Sequence, residues 1–290
     1  METIQVLIPL ILTISLAGLV AAVGLDADRD DLLYLFRRPL QLAKAVLAVN
    51  VIVPVAAVLL VFIFPLSHIA KAGVLLMAAS PVPPLVPGKE LKIGANKSYA
   101  YGVYLALILL AVVIVPLSVA VLAALFGSAV SLPLSMVARN VAFTVLLPLA
   151  GGLVIRRIAP GLAQRLIPIV KAIATLMLLV AVIPLMIAVW PAMMKLVGNG
   201  TIVAMALTAA IGIAGGHFLG GPALQDRGAL AMAAATRHPG IALMIANANH
   251  ADKAVTAAIL AMMIVGLLVG VPYQIWLKRR APAAAAAVHG

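Results

Sequence analysis

The sequence predicts an all-α polytopic membrane protein, and three observations predict it. The 290 residues are 65% hydrophobic and only 10% charged, where a soluble domain is about half apolar and a quarter charged. Mean hydropathy is +1.23. The apolar residues also fall into nine runs, each long enough to cross a bilayer as a helix of about 20 residues. Together these exclude an ordinary globular enzyme, a disordered chain and a lone anchor on a soluble body. Cysteine is absent, which removes a disulfide framework, a thiolate metal site and a cysteine nucleophile.

The nine segments are Ile4–Leu25, Leu40–Phe64, Ser67–Gly94, Ser98–Phe126, Leu132–Ile155, Gln164–Trp190, Thr201–Gly221, Gly228–Asn249 and Val255–Leu277. Length rather than periodicity makes them helices, because a helix in lipid is apolar all round. Strands with open edges cannot face lipid, and the runs lack the alternation of barrel strands. The first segment begins Met1-Glu2, without a basic leader, and its apolar run is too long for a signal peptide. The Ala-rich stretch 281–290 is expected to be a disordered tail. The rest, 1–280, is expected to form a single membrane domain.

Nine crossings put the termini on opposite sides of the membrane. One side collects Arg29, Arg37, Arg38, Lys44, Lys92, Lys97, Arg156, Arg157, Arg165, Lys171, Arg227, Lys278, Arg279 and Arg280, which is 14 of the 20 cations. The other side has Lys71, Arg139, Lys195 and Lys253. The asymmetry predicts an outside N-terminus and a cytoplasmic C-terminus in a plasma or inner membrane. It also accounts for the net charge of +12 without a nucleic-acid partner. Lys89 and Arg237 are left over, inside hydrophobic segments.

Those two cations sit beside the least helical parts of the sequence. The third segment contains Pro81, Pro83, Pro84 and Pro87, and each proline removes an N–H donor and clashes with the preceding turn. The eighth contains Thr236-Arg237-His238-Pro239-Gly240. Both segments are expected to break. Pro87, Asn96 and Pro116 have counterparts at Pro239, Asn249 and Pro272, at offsets of 152, 153 and 156 residues. The eighth segment is five helices on from the third, an odd step, so the two units enter the membrane in opposite senses. This is the pattern of an inverted repeat with a discontinuous helix in each half, a pointer to a carrier's midplane site. Half-helix ends leave unpaired N–H and C=O groups that can hold ions in protein-lined space.

The candidate substrate or ion site is therefore Lys89, Glu90, Arg237, His238, Pro87, Gly88, Pro239, Gly240, Thr236 and Tyr104. An intramembrane charge is costly and usually has a functional partner. Glu90 either neutralises Lys89 or Arg237, or leaves a net positive pocket for an anion. His217, Asn50, Asn140 and Thr144 read as helix–helix hydrogen-bonding groups. Tyr99, Tyr101 and Tyr104 are either interface anchors or pocket lining. Asp26-Ala27-Asp28-Arg29-Asp30-Asp31 lacks the glycine and distal glutamate of a calcium loop and reads as a solvated loop and helix start. No Gly-x-Gly-Asp pair, His-Glu-x-x-His zinc motif or Gly-x-Ser-x-Gly elbow occurs, which argues against a membrane enzyme.

Gly24-Leu25, Asp31-Leu32-Leu33, Phe36-Arg37-Arg38-Pro39, Ser80-Pro81 and Arg237-His238-Pro239-Gly240 occur in an order and spacing that resembles the bile-acid/sodium symporter family, over nearly the whole chain. The resemblance implies a core of helices 40–126 and 201–277, whose two broken helices cross, and a panel of helices 4–25 and 132–190. The first helix of ten-helix members is expected to be missing. It also implies carriage of a small organic anion by alternating access, often with sodium.

The usual sodium ligands are replaced here. Where sodium-coupled members have Ser-Asn this chain has Val86 and Pro87. Where they have a hydroxyl pair it has Ala100 and Tyr104, and where they have Glu-x-x-x-Gln-Asn it has Ala233, Arg237 and His238. Hard oxygen ligands suit hard cations, so no metal site is expected, and Lys89 and Arg237 are expected to stand in for sodium. No cofactor is expected. The coupling ion is a proton, through Glu90 or His238, or sodium. A sodium-coupled symporter of the same fold and a channel are the competing readings.

Overall fold

The computed structural model describes the backbone of residues 2–92, 94–127 and 131–288, with the side chains of 2–6, 9, 89, 92 and 281–288 outside the description. Among the described residues all regular structure is helical. In order the helices are α1 Glu2–Asp26, α2 Arg29–Leu33, α3 Pro39–Ile63, α4 His68–Ala79, α5 Val86–Lys92, α6 Lys97–Phe126, α7 Leu134–Ile158, α8 Pro160–Met194, α9 Thr201–Leu219, α10 Leu224–Ala235, α11 Pro239–Ala248 and α12 Lys253–Val288. Seven stretches are long and apolar enough to cross a membrane: α3, α6, α7, α8, α9, the α10–α11 pair as Leu224–Ala248, and Lys253–Arg280 of α12. Leu10–Asp26 of α1 and His68–Ala79 are shorter apolar helices.

The prolines act where covalent chemistry requires. Ser80–Pro83 leaves the helix, and α5 resumes only at Val86. Ser80 and Thr236 are extended, with ψ of 152° and 121°. Two further prolines bend the ladder without breaking it. Leu47–Ile52 and Ala142–Leu146 are π-helical turns, directly ahead of Pro54 and Pro148. A proline ring collides with the carbonyl four residues back, here that of Asn50 and of Thr144. A widened turn gives that carbonyl room.

The backbone of α12 continues as helix to Val288. Alanine has the highest helix propensity, and adding turns to an existing helix avoids the cost of nucleation. Residues 289–290 lie outside the described residues.

α1, α7 and α8 pack on one another. The α1–α7 contact needs small residues: a Cβ on Gly152 would lie 2.7 Å from the Leu25 amide nitrogen. α3, α4, α9, α10 and α12 form a second group, with α5, α6 and α11 against it. α4 packs on α11, and α5 packs on α10. His217, at the end of α9, meets the Tyr273 hydroxyl of α12 at 2.7 Å through Nδ1, the helix–helix bond expected of it. The groups touch where α8 meets α12 and where α6 meets α7.

Candidate functional site

The two breaks meet. The His238 amide donates to the Pro81 carbonyl at 2.9 Å. The Arg237 guanidinium donates through one nitrogen to the Ser80 carbonyl at 3.0 Å and through the other to the Val49 carbonyl. Ser80 ends α4, so its carbonyl belongs to the negative end of a helix dipole, where a cation is favoured. Val49 lies in the π turn of α3, whose irregular ladder exposes carbonyls. Arg237 is 3% exposed, and its Nε has no partner among the described residues. Its charge is thus met by carbonyl dipoles, and it forms no ion pair among the described residues.

Glu90 does not neutralise it. Glu90 is 1% exposed, and neither carboxyl oxygen has a hydrogen-bond partner among the described residues. It lies on α5 against α10, where Asp226 repels it electrostatically. The side chain of Lys89 lies outside the described residues, so its expected role belongs to the sequence alone. Pro87 is buried and Gly88 half-buried on α5.

A cavity of about 1000 Å³ lies between the helix groups. Leu12 of α1, Asn140 and Thr144 of α7 and Pro184 of α8 form one wall. Pro84, Tyr104, His238, Gly240 and Asn247 belong to the other. Of the expected site, the cavity collects Tyr104, His238 and Gly240, whereas Arg237 and Thr236 line a separate void of about 10 Å³. Glu90, Pro87, Gly88 and Pro239 line neither. Among the described residues no Lys, Arg, Asp or Glu lines the large cavity. Tyr104 is 1% exposed and its hydroxyl has no partner among the described residues. His238 caps α11, its Nδ1 accepting from the Ile241 amide at 3.3 Å, and Gly240 is exposed to the cavity in the first turn.

The tyrosine alternative resolves toward the interior. Tyr99, Tyr101 and Tyr104 are all nearly inaccessible, so none anchors at the interface, and of the three only Tyr104 lines the cavity. Asn140 and Thr144 differ from the helix–helix role expected of them: the Thr144 hydroxyl donates to the Asn140 carbonyl at 2.8 Å, one turn back within α7. Both also line the cavity, a role their sequence context did not signal. The acidic run 26–31 is a helix start, as expected, with Asp28 and Asp30 exposed. Asp28 caps α2 in a capping box with Asp31, and Asp31 is buried.

Two packed helix groups, a cavity between them and two broken helices meeting at their breaks beside it define an all-helical, multi-pass membrane protein of the transporter type. Residues 13–211 match the model of the sodium bile acid symporter family. The match spans more than half of the chain, and the protein belongs to that family. A search of curated proteins gave no match.

Proposed function

We propose that the protein is a secondary carrier that moves a small organic anion across the cell membrane by alternating access, with its N-terminus outside. In this reading α1, α7 and α8 are a panel and the remaining long helices a core. α1 and the α4–α5 pair complete nine crossings, and the halves of the core are an inverted repeat. The observation that carries the reading is the cavity at the crossing, with Tyr104, His238 and Gly240 on its core wall. A volume of about 1000 Å³ is at the upper end of small-ligand sites. The mostly apolar lining suits a ligand with an apolar body. The anionic group would face the exposed first turn of α11, whose dipole is positive, with Arg237 one residue behind.

The carrier is sodium-independent, with Arg237 acting as a tethered cation. Its two carbonyl partners are hard oxygen ligands of the kind that a metal cation would take, and a guanidinium already occupies both. Lys89 would add a second fixed charge at the first break. A proton through Glu90 or His238 is the remaining coupling ion. Uptake into proteoliposomes tests this. Saturable uptake that shows counterflow, with equal rates in sodium and potassium, is expected. Strict dependence on a sodium gradient overturns the tethered-cation reading, and unsaturable flux without counterflow favours a channel.

A further inference from the structure

The end of the bundle opposite the cavity is closed by charge. The cavity touches α1 between Ile8 and Val20 and α7 between Met136 and Val145. At the other ends of these helices, polar groups from three separate pieces of chain converge. From α6, the Lys97 ammonium donates to the Asp26 carbonyl at 2.7 Å and lies 3.5 Å from the Asp26 carboxylate and 3.7 Å from that of Asp31. The Ser98 hydroxyl donates to Asp31 at 2.5 Å, and the Tyr101 hydroxyl donates to the Asp26 carboxylate. From α7, Arg156 reaches the same turn. It donates to the Asp28 carboxylate at 2.8 Å and to the Asp26 carbonyl at 2.6 Å.

This is more than a solvated face. Asp31 is 8% exposed, and partners as distant in sequence as Asp28 and Arg156 would meet only in this arrangement of helices. The Asp30–Arg37 pair is the contrast: its side chains are 80% and 58% exposed, a geometry that adds little. Three carboxylates thus hold one cation from the α6 side and one from the α7 side.

We infer that the acidic turn 26–31 is an ionic latch, clamping α6 to α7 at the closed end and releasing whenever the cavity opens to that end. The inference rests on the alternating-access reading and names the contact that must break in each cycle. A carrier with its cavity open at one end needs a seal at the other. Polar contacts suit a reversible seal, because water replaces them when the groups part.

Single cysteines report on the latch, since the chain has none of its own. Val23→Cys marks the closed end, one helical turn inside Asp26, where Val23 is 4% exposed. Met244→Cys marks the cavity wall. Each is placed in the full chain in nanodiscs and labelled with a soluble maleimide. With Lys97→Gln and Arg156→Gln together, labelling at Val23→Cys should accelerate about tenfold and labelling at Met244→Cys should slow. The exchange Asp28→Arg with Arg156→Asp should restore the parent rates in an Arg156→Asp background. Unchanged labelling at Val23→Cys, or faster labelling at both positions, overturns the latch. Reciprocal labelling with no protection of Met244→Cys by any organic anion tried would uphold the latch while removing the anion-carrier reading.

Discussion

Arg237 of the second break donates to the carbonyl of Ser80 in the first, at 3.0 Å, so each broken segment is finished by the other. The end of α4 is capped by a cation that is covalently part of the chain, and Val49 of the α3 π turn shares it.

Removing that cation should expose a cation site. Arg237→Ala leaves two buried carbonyls without their donor, and hydrogen bonds to charged groups contribute about 1.5–3 kcal/mol each. The variant should melt well below the parent. Sodium should raise the melting temperature of the variant and leave that of the parent unchanged. Thermal unfolding in sodium and in choline measures both. An identical sodium response in the two proteins would count against the tethered-cation reading.

Tyr104→Phe should separate binding from folding. The hydroxyl is buried and unpartnered, so its loss should change stability by less than about 1 kcal/mol. If the hydroxyl meets a ligand in the cavity, affinity should fall roughly tenfold, the equivalent of about 1.4 kcal/mol. Isothermal titration with the best anion from a thermal-shift screen would give the ratio.

Glu90→Gln tests the proton. A buried carboxylate without a hydrogen-bond partner is far costlier than its neutral acid, and Glu90 has no hydrogen-bond partner among the described residues. The amide, of similar shape and neutral, should fold at least as well as the parent. If Glu90 carries the coupled proton, uptake by the variant should lose its response to an imposed pH gradient while counterflow persists. A gradient response equal to that of the parent would move the proton to His238 or remove it from the cycle.

The His217–Tyr273 contact provides a control away from the cavity. The bond is 2.7 Å long, and a double-mutant cycle of His217→Ala and Tyr273→Phe should give a coupling of about 0.5–1.5 kcal/mol. Saturation of uptake should be the same in all four proteins, measured as the substrate concentration at half-maximal rate.

The breaks were legible because prolines cluster there. Pro81, Pro83 and Pro84 follow the end of α4, and Pro239 opens α11, whereas single prolines such as Pro116 and Pro184 stay inside their helices. Charge legibility was also local: Lys89 and Arg237 stand out against an apolar background. Facing was not legible. Asn140, Thr144 and Asn247 line the cavity, yet a helix that is apolar all round carries no periodic mark of its inward side. The same limit put Arg237 and His238 together in the sequence reading, although consecutive residues of an extended strand point to opposite sides, and here they line different voids. The inward contacts of the acidic turn were missed for another reason. Its partners Lys97 and Arg156 are 71 and 130 residues from Asp26, beyond any local pattern.

The π turn ahead of Pro148 sets an angular phase. One extra residue in the turn rotates everything before it by about 100° relative to an unbroken α-helix. Asn140 and Thr144 face the cavity only with that offset in place. Pro148→Ala, which removes the steric reason for the wide turn, is thus a rotation as much as a substitution. A one-residue deletion within Ala142–Leu146, normally ruinous in a spanning helix, is the change that would let α7 regain an even winding with both of its halves still in phase.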